Sequence, residues 1–276
     1  MPITSYNDYL NAGKQRLQIV KTQTRTSVAV NPFTVFDLAG QPGAGTLAGS
    51  SSANGVKPDD TTAGFPAINF SSGTSYISKI EYYSSVLSRL MLYDMLFKAG
   101  TYAYNSGTTN LSSQPAISSR CPDYTGGSTF GNGCEIWVEV STAFATGNSW
   151  QIQVTYTNSA GTTGRTSIIS AAQAAAALTQ GKMFQLALQA GDTGVQKIES
   201  VIATNGGTAM TAGAVNVLIM RPLWFNRVAI ANGGGINNLL DTGMIQIYND
   251  SALYLIVQPD STSTGLPYVT IEIANA

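Results

Sequence analysis

Trp150, Ile152, Val154 and Tyr156 alternate with Gln151, Gln153 and Thr155. A helix cannot gather a two-residue period onto one face, whereas a half-buried strand does so directly. The run stops at Asn158-Ser159-Ala160-Gly161, a turn sequence that leads into a second polar strand. Ile136, Val138 and Val140 repeat the pattern against Glu135, Trp137 and Glu139. Strand-forming side chains also concentrate at 77–83, 86–93, 183–188, 195–201, 215–220, 252–257 and 269–273. Roughly eight to ten short strands divided by Gly, Asn, Asp and Pro turns predict an all-β chain, a jelly-roll-like β-sandwich. The Ala-rich stretch 171–178 is too short to serve as a crossover helix, which argues against a βαβ architecture.

The front of the chain reads differently. Ser5 and Asp8 form a capping-box pattern, and Tyr6, Leu10, Gly13, Leu17 and Val20 fall on one face at helical spacing. This predicts an N-terminal helix weakened by Gly13, by about 1 kcal/mol relative to Ala. Residues 22–40 read as an extended arm, with Val28, Val30, Phe33, Val35 and Phe36 as strand formers. From Gly40 to Gly73 the chain is rich in Gly, Ser, Ala and Asp and carries Pro42, Pro58 and Pro66. That composition predicts a long surface loop, or an arm ordered only by neighbours. The expected division is therefore 1–73 for helix, arm and loop, and 74–276 for the sandwich body.

Charged residues are only 11% of the chain, against roughly 25% in an average globular domain. A surface so poor in charge comes close to other surfaces with little electrostatic cost. The formal net charge of −1 gives no electrostatic footprint for nucleic acid or an acidic membrane. Lys14, Arg16, Lys21 and Arg25 cluster near the start and read as a solvated helix face. The chain has no histidine, the side chain most used for proton transfer near neutral pH and the commonest metal ligand. No apolar run reaches the ~20 residues of a membrane-spanning helix, and the first residues show no basic-then-apolar leader, so cytoplasmic synthesis is expected.

Asp-Thr-Gly occurs at 192–194 and 241–243, the second copy preceded by Leu239-Leu240 as in an aspartic protease. Too few residues separate the two aspartates to build a lobe for each, and too few follow Asp241 to finish a dimeric protease fold. Both copies read as turns. The glycines at 40, 43, 45 and 49 lack the Lys-Ser/Thr ending of a phosphate loop and read as a connector. Asp59-Asp60 reads as a solvated acidic pair rather than a Ca²⁺ site. Cys121 and Cys134 bracket a Gly-rich segment and are the candidate disulfide, with a reducing cytoplasm against it. The aromatics Tyr82, Tyr83, Trp137, Trp150, Trp224 and Phe225 read as packing residues, with a carbohydrate platform as the alternative. No catalytic, cofactor or metal residue is expected, and the chain is read as no enzyme.

Three stretches resemble virion structural proteins of tailed bacteriophages, of the head-associated kind. They are Lys21-Thr22-Gln23-Thr24-Arg25-Thr26 running on to Phe33-Thr34-Val35-Phe36-Asp37-Leu38-Ala39-Gly40; Met220-Arg221-Pro222-Leu223-Trp224; and Asp250-Ser251-Ala252-Leu253-Tyr254 with Gly265-Leu266-Pro267. The resemblance runs the length of the chain and implies a virion component present in many copies, made in the host cytoplasm. The expected role is that of a capsid decoration or cement protein in contact with copies of itself, a trimer among the options, and with a major capsid protein. No direct contact with nucleic acid or membrane is expected. A neck or tail position is the alternative within that class, and a receptor- or glycan-binding sandwich is the alternative outside it. The assembly contacts are expected at Tyr6, Leu10, Leu17, Val20, Lys21 and Arg25.

Overall fold

Alternation along the chain becomes sixteen antiparallel strands in the computed structural model, which describes residues 3–49, 51–206 and 210–276. The first five are β1 (Gly13–Lys21), β2 (Phe33–Thr34), β3 (Gly40–Gln41), β4 (Ser75–Ser84) and β5 (Ser88–Ala103). There follow β6 (Gly107–Asn110), β7 (Glu135–Ala145), β8 (Trp150–Asn158), β9 (Arg165–Thr166), β10 (Met183–Leu186) and β11 (Val195–Asn205). The last are β12 (Ala212–Val228), β13 (Gly233–Asn237), β14 (Gln246–Ile247), β15 (Leu253–Pro259) and β16 (Pro267–Asn275). Two short helices, α1 (Tyr6–Asn11) and α2 (Leu239–Thr242), complete the elements the site needs.

Three sheets result. The first runs β13-β4-β16-β1-β3, with β14 on β4; the central one runs β10-β7-β12-β5-β15-β2; the third runs β6-β11-β8-β9. The architecture is all-β and sandwich-like, as the alternation predicts. Strands β5 and β12, 16 and 17 residues long, pair along most of their length and pass from one core to the next. At one end Leu90, Leu92, Leu223 and Val228 pack with Leu17, Ile80, Val269 and Ile271 of the first sheet. At the other end Phe97, Tyr102, Val215 and Val217 pack with Trp150, Ile152, Val154 and Tyr156 of the third. Two sheets thus share one long partner, and neither could bury its apolar face without it.

The opposite face of the central sheet is also dry. Met91, Tyr93, Met95, Trp137, Leu218, Met220 and Tyr254 meet Phe36 of the extended segment and Leu47 and Phe65 of the long front loop. Leu47 and Phe65 thus anchor 40–73 on the chain's own core, against the reading of an arm ordered only by neighbours. Among the described residues it holds no helix and no strand beyond β3, yet it seals a core face. The same face of β7 buries Glu139, which the alternation sets on the polar side, together with Trp137, read from the sequence as a packing residue.

The N-terminal helix is shorter than its spacing predicts. Its capping box is present, with Ser5 accepting from Asp8 N and Asp8 accepting from Ser5 N, but the helix ends at Asn11. Residues 13–21 are strand, paired with β16 from Gly13↔Asn275 to Val20↔Tyr268. Leu17 and Ile19 satisfy a period of two as well as Leu10, Leu17 and Val20 satisfy one near 3.6. The free backbone edge of β16 decides between them. The four cations at 14–25 are therefore not one solvated helix face.

Candidate assembly surface

Tyr6 and Leu10, on α1, are 66% and 56% exposed, and no residue of the helix is buried. The helix is tied to the body by the Tyr9 hydroxyl, which donates to Glu272 Oε1 at 3.1 Å, and by Lys14, whose Nζ lies 4.2 Å from the Tyr9 ring centre. Burial and the neighbouring Glu272 carboxylate push the Tyr9 hydroxyl up from its ordinary pKa. Arg16 stands beside the same carboxylate at 3.6 Å.

The other expected contacts divide by burial. Val20 is half-buried and lines a shallow depression with Tyr83, Leu266 and Tyr268 on the outer face of the first sheet. Leu17 lies in the core. Lys21 is buried, its Nζ donating to the carbonyls of Leu38 at 3.0 Å and Pro42 at 3.1 Å, and burial lowers its pKa against the pull of Asp37. Arg25 pairs with Asp37 and donates to Gln180 O at 2.9 Å. Gly40 closes this corner, since a Cβ there would stand 2.0 Å from Val20 O. Leu17 and Lys21 hold the chain to itself, which leaves Tyr6, Leu10 and Val20 as the apolar groups of the set within reach of a neighbour.

Further exposed apolar side chains lie on and beside β13, at Ile230, Ile236 and Leu240. Strand β13 pairs with β4 and ends its sheet, and its sequence Gly-Gly-Gly-Ile-Asn carries no charge of the kind that blunts an edge. This region lacks any periodic signal strong enough to find from sequence.

The Asp-Thr-Gly copies do separate structural work. Asp241 accepts from Asn238 N at 2.9 Å in the capping box of α2, and Gly243 supplies the left-handed residue that ends that helix. Asp192 accepts from the Tyr156 hydroxyl at 2.6 Å, Asn158 Nδ2 at 2.7 Å and Arg165 Nε at 2.9 Å. Burial opposes its ionisation, but these three donors outweigh it and hold the carboxyl at about 2. Asp59 accepts from Thr61 and Thr62 in a turn, and Asp60 is buried, accepting from Ile68 N at 2.7 Å. That pair is not the solvated one its sequence suggests.

Cys121 and Cys134 are free, buried and in contact. The Cys121 thiol donates to Ile117 O at 3.5 Å; the neighbouring Cys134 thiol lowers the Cys121 pKa, while Cys134 itself is pushed well up by Cys121 and by burial. Trp137, Trp150 and Trp224 are buried, so of the six aromatics only Tyr83 and Phe225 stand at the surface.

Two networks gather buried charges. Asp94, fully buried, takes Arg120 at 3.2 Å, Arg221 at 3.5 Å, the Ser251 hydroxyl at 2.8 Å and Ala252 N at 3.0 Å. Glu139 takes Lys98 at 3.3 Å, Asn216 Nδ2 at 2.7 Å and the Tyr254 hydroxyl at 2.5 Å. Each carboxylate meets its donors inside the protein.

No protein-family model matches the chain, and no curated protein sequence matches it. Among solved structures it is similar to the infectious bursal disease virus VP2 subviral particle, at 10% identity over 96% of this chain and 80% of that one, TM-score 0.19. It is also similar to the capsid of Penaeus monodon metallodensovirus, at 8% identity over 100% of this chain and 78% of that one, TM-score 0.20. Superposition this loose carries no argument for fold or function.

Proposed function

We propose that the chain is a non-catalytic structural subunit of a virion, of the decoration or cement type. In this reading it is seated on a phage capsid through contacts with copies of itself and with a major capsid protein. The observation that carries the proposal is α1, a helix with no buried residue that presents Tyr6 and Leu10 to solvent. A helix of six residues has little stability of its own in water, and its order gains most from burial against a second surface. The low charge of the whole chain favours such contact, and the resemblance of its 21–40, 220–224 and 250–254 stretches to head-associated phage proteins supplies the virion setting.

The test compares the full chain with one lacking residues 1–12. Both should show the same strand signal by circular dichroism, and only the full chain should co-sediment with capsid shells of its own virion. A shorter protein that still loads the shells to full occupancy would remove the case for α1. A deletion through residue 26 is a different experiment, because it takes β1 out of the first sheet and should unfold it.

A further inference from the structure

At one end of the central sheet, three neighbouring strands place Arg227, Arg89 and Gln258 in a single rank. Arg227 of β12 stands directly opposite Arg89 of β5, and Arg89 stands directly opposite Gln258 of β15. Residues opposite one another in an antiparallel ladder share a face, so the three side chains rise together. Like charges in that position repel and weaken the pairing. Neither arginine has a carboxylate within salt-bridge distance among the described residues, although Asp260 stands in the same cleft. By contrast Arg16, Arg25, Arg120, Arg165 and Arg221 are each paired with a carboxylate.

The rank lines a cleft of about 440 Å³ with Val30, Leu87 and Pro259 as apolar walls. The next rank on the same face is Phe225, Met91 and Ile256, and the Arg89 guanidinium sits 4.8 Å from the centre of the exposed Phe225 ring. A guanidinium held over a ring keeps its donors for an oxyanion. Gln258 adds the opposite polarity. Its Nε2 is committed to Val30 O at 2.7 Å, while its Oε1 has no donor among the described residues.

We propose that this cleft binds an acidic peptide segment of a neighbouring protein, with a Glu or Asp carboxylate between Arg89 and Arg227 and a peptide N–H on Gln258 Oε1. Paired guanidinium groups suit a carboxylate or a phosphate alike. The free acceptor and the apolar walls select a ligand that brings a donor and hydrocarbon with its charge. A nucleic-acid backbone would call for a longer basic track than two arginines in a chain of net charge −1. The inference rests on the reading of the chain as an assembly subunit and names the chemistry of one of its partners.

Fluorescence anisotropy tests it, with the full chain titrated against a labelled peptide of alternating Glu and Ala. Competitors are the Gln-for-Glu peptide, inorganic phosphate and a single-stranded oligonucleotide. The Glu peptide should bind and weaken with salt, and Arg89→Gln or Arg227→Gln should each cost about tenfold in affinity. Both arginines are exposed, so the variants should fold, and loss of the repulsion should leave their melting temperatures at or above the parent's. Peptide binding that is absent, or unchanged in both variants, overturns the proposal. So does displacement by phosphate at equal concentration, or tighter binding of the oligonucleotide. Such failures leave the α1 deletion experiment untouched, so the cleft and the assembly reading stand or fall separately.

Discussion

Arg120→Met should cost about 4 kcal/mol of stability. Arg120 lies in the one-turn 3₁₀ helix Ser118–Arg120 and is fully buried, yet its four contacts reach three separate parts of the chain. Its guanidinium meets Asp94 at 3.2 Å and donates to the carbonyls of Asp250 at 2.6 Å, Pro58 at 2.8 Å and Met95 at 2.8 Å. Methionine fills much of the same volume, so the loss is electrostatic rather than a cavity. Removing one partner of a buried pair costs about 3–5 kcal/mol. Four contacts at about 1 kcal/mol each reach the same figure, with Arg221 still on Asp94 to limit it. In a chain of this size the change lowers the melting temperature by about 8 °C. Thermal unfolding followed by circular dichroism measures it. A double-mutant cycle with Asp94→Asn should show coupling of at least about 1 kcal/mol. A shift under about 2 °C, or additive single effects, would mean that the network is not what joins the loop at 58, strand β5 and the 250 turn.

Asp192→Asn should flatten the acid limb of the stability curve. Its folded carboxyl titrates at about 2, against an unfolded value near 4. The stabilisation is therefore complete above about pH 4 and is lost as pH falls through about 2. Urea midpoints from pH 2 to pH 7 should show the parent losing ground there and the variant much less, and parallel curves would contradict the assignment. Mild oxidation of the native protein should join Cys121 to Cys134 with loss of two hydrogens, adding about 3 kcal/mol by loop entropy. Mass spectrometry of unreduced peptides reads the link directly, and two freely alkylated thiols after unfolding would show that no bond formed.

What was legible in sequence was whatever repeats locally. The alternation at 150–156 and 136–140 located β8 and β7, and Ser5 with Asp8 located the cap of α1. Strand β1 was not legible because its apolar residues satisfy two periods at once, and the deciding partner lies at 267–275. The dry second face of the central sheet was hidden for a related reason. A loop rich in Gly and Ser gives no sign that its Leu47 and Phe65 will join Phe36 in covering Trp137 and Tyr254. Arg89, Arg227 and Gln258 are scattered along the chain, and only strand register sets them side by side.

The pairing of β1 with β16 also sets an order of events during synthesis. Strand β1 leaves the ribosome well over two hundred residues ahead of its inner partner β16. Until residues 267–275 emerge, Leu17 and Ile19 have no ladder to join, and β4 lacks the neighbour that separates it from β1. The central and third sheets draw their strands from residues 33–259 and can assemble first. The first sheet then closes as a single late step across almost the whole sequence, a slow class of contact. A nascent chain, or one lacking residues 267–275, would hold β1 and β4 as open edges, the form most prone to pair with other copies. The exposure that matters for misassembly is thus greatest just before residues 267–275 emerge.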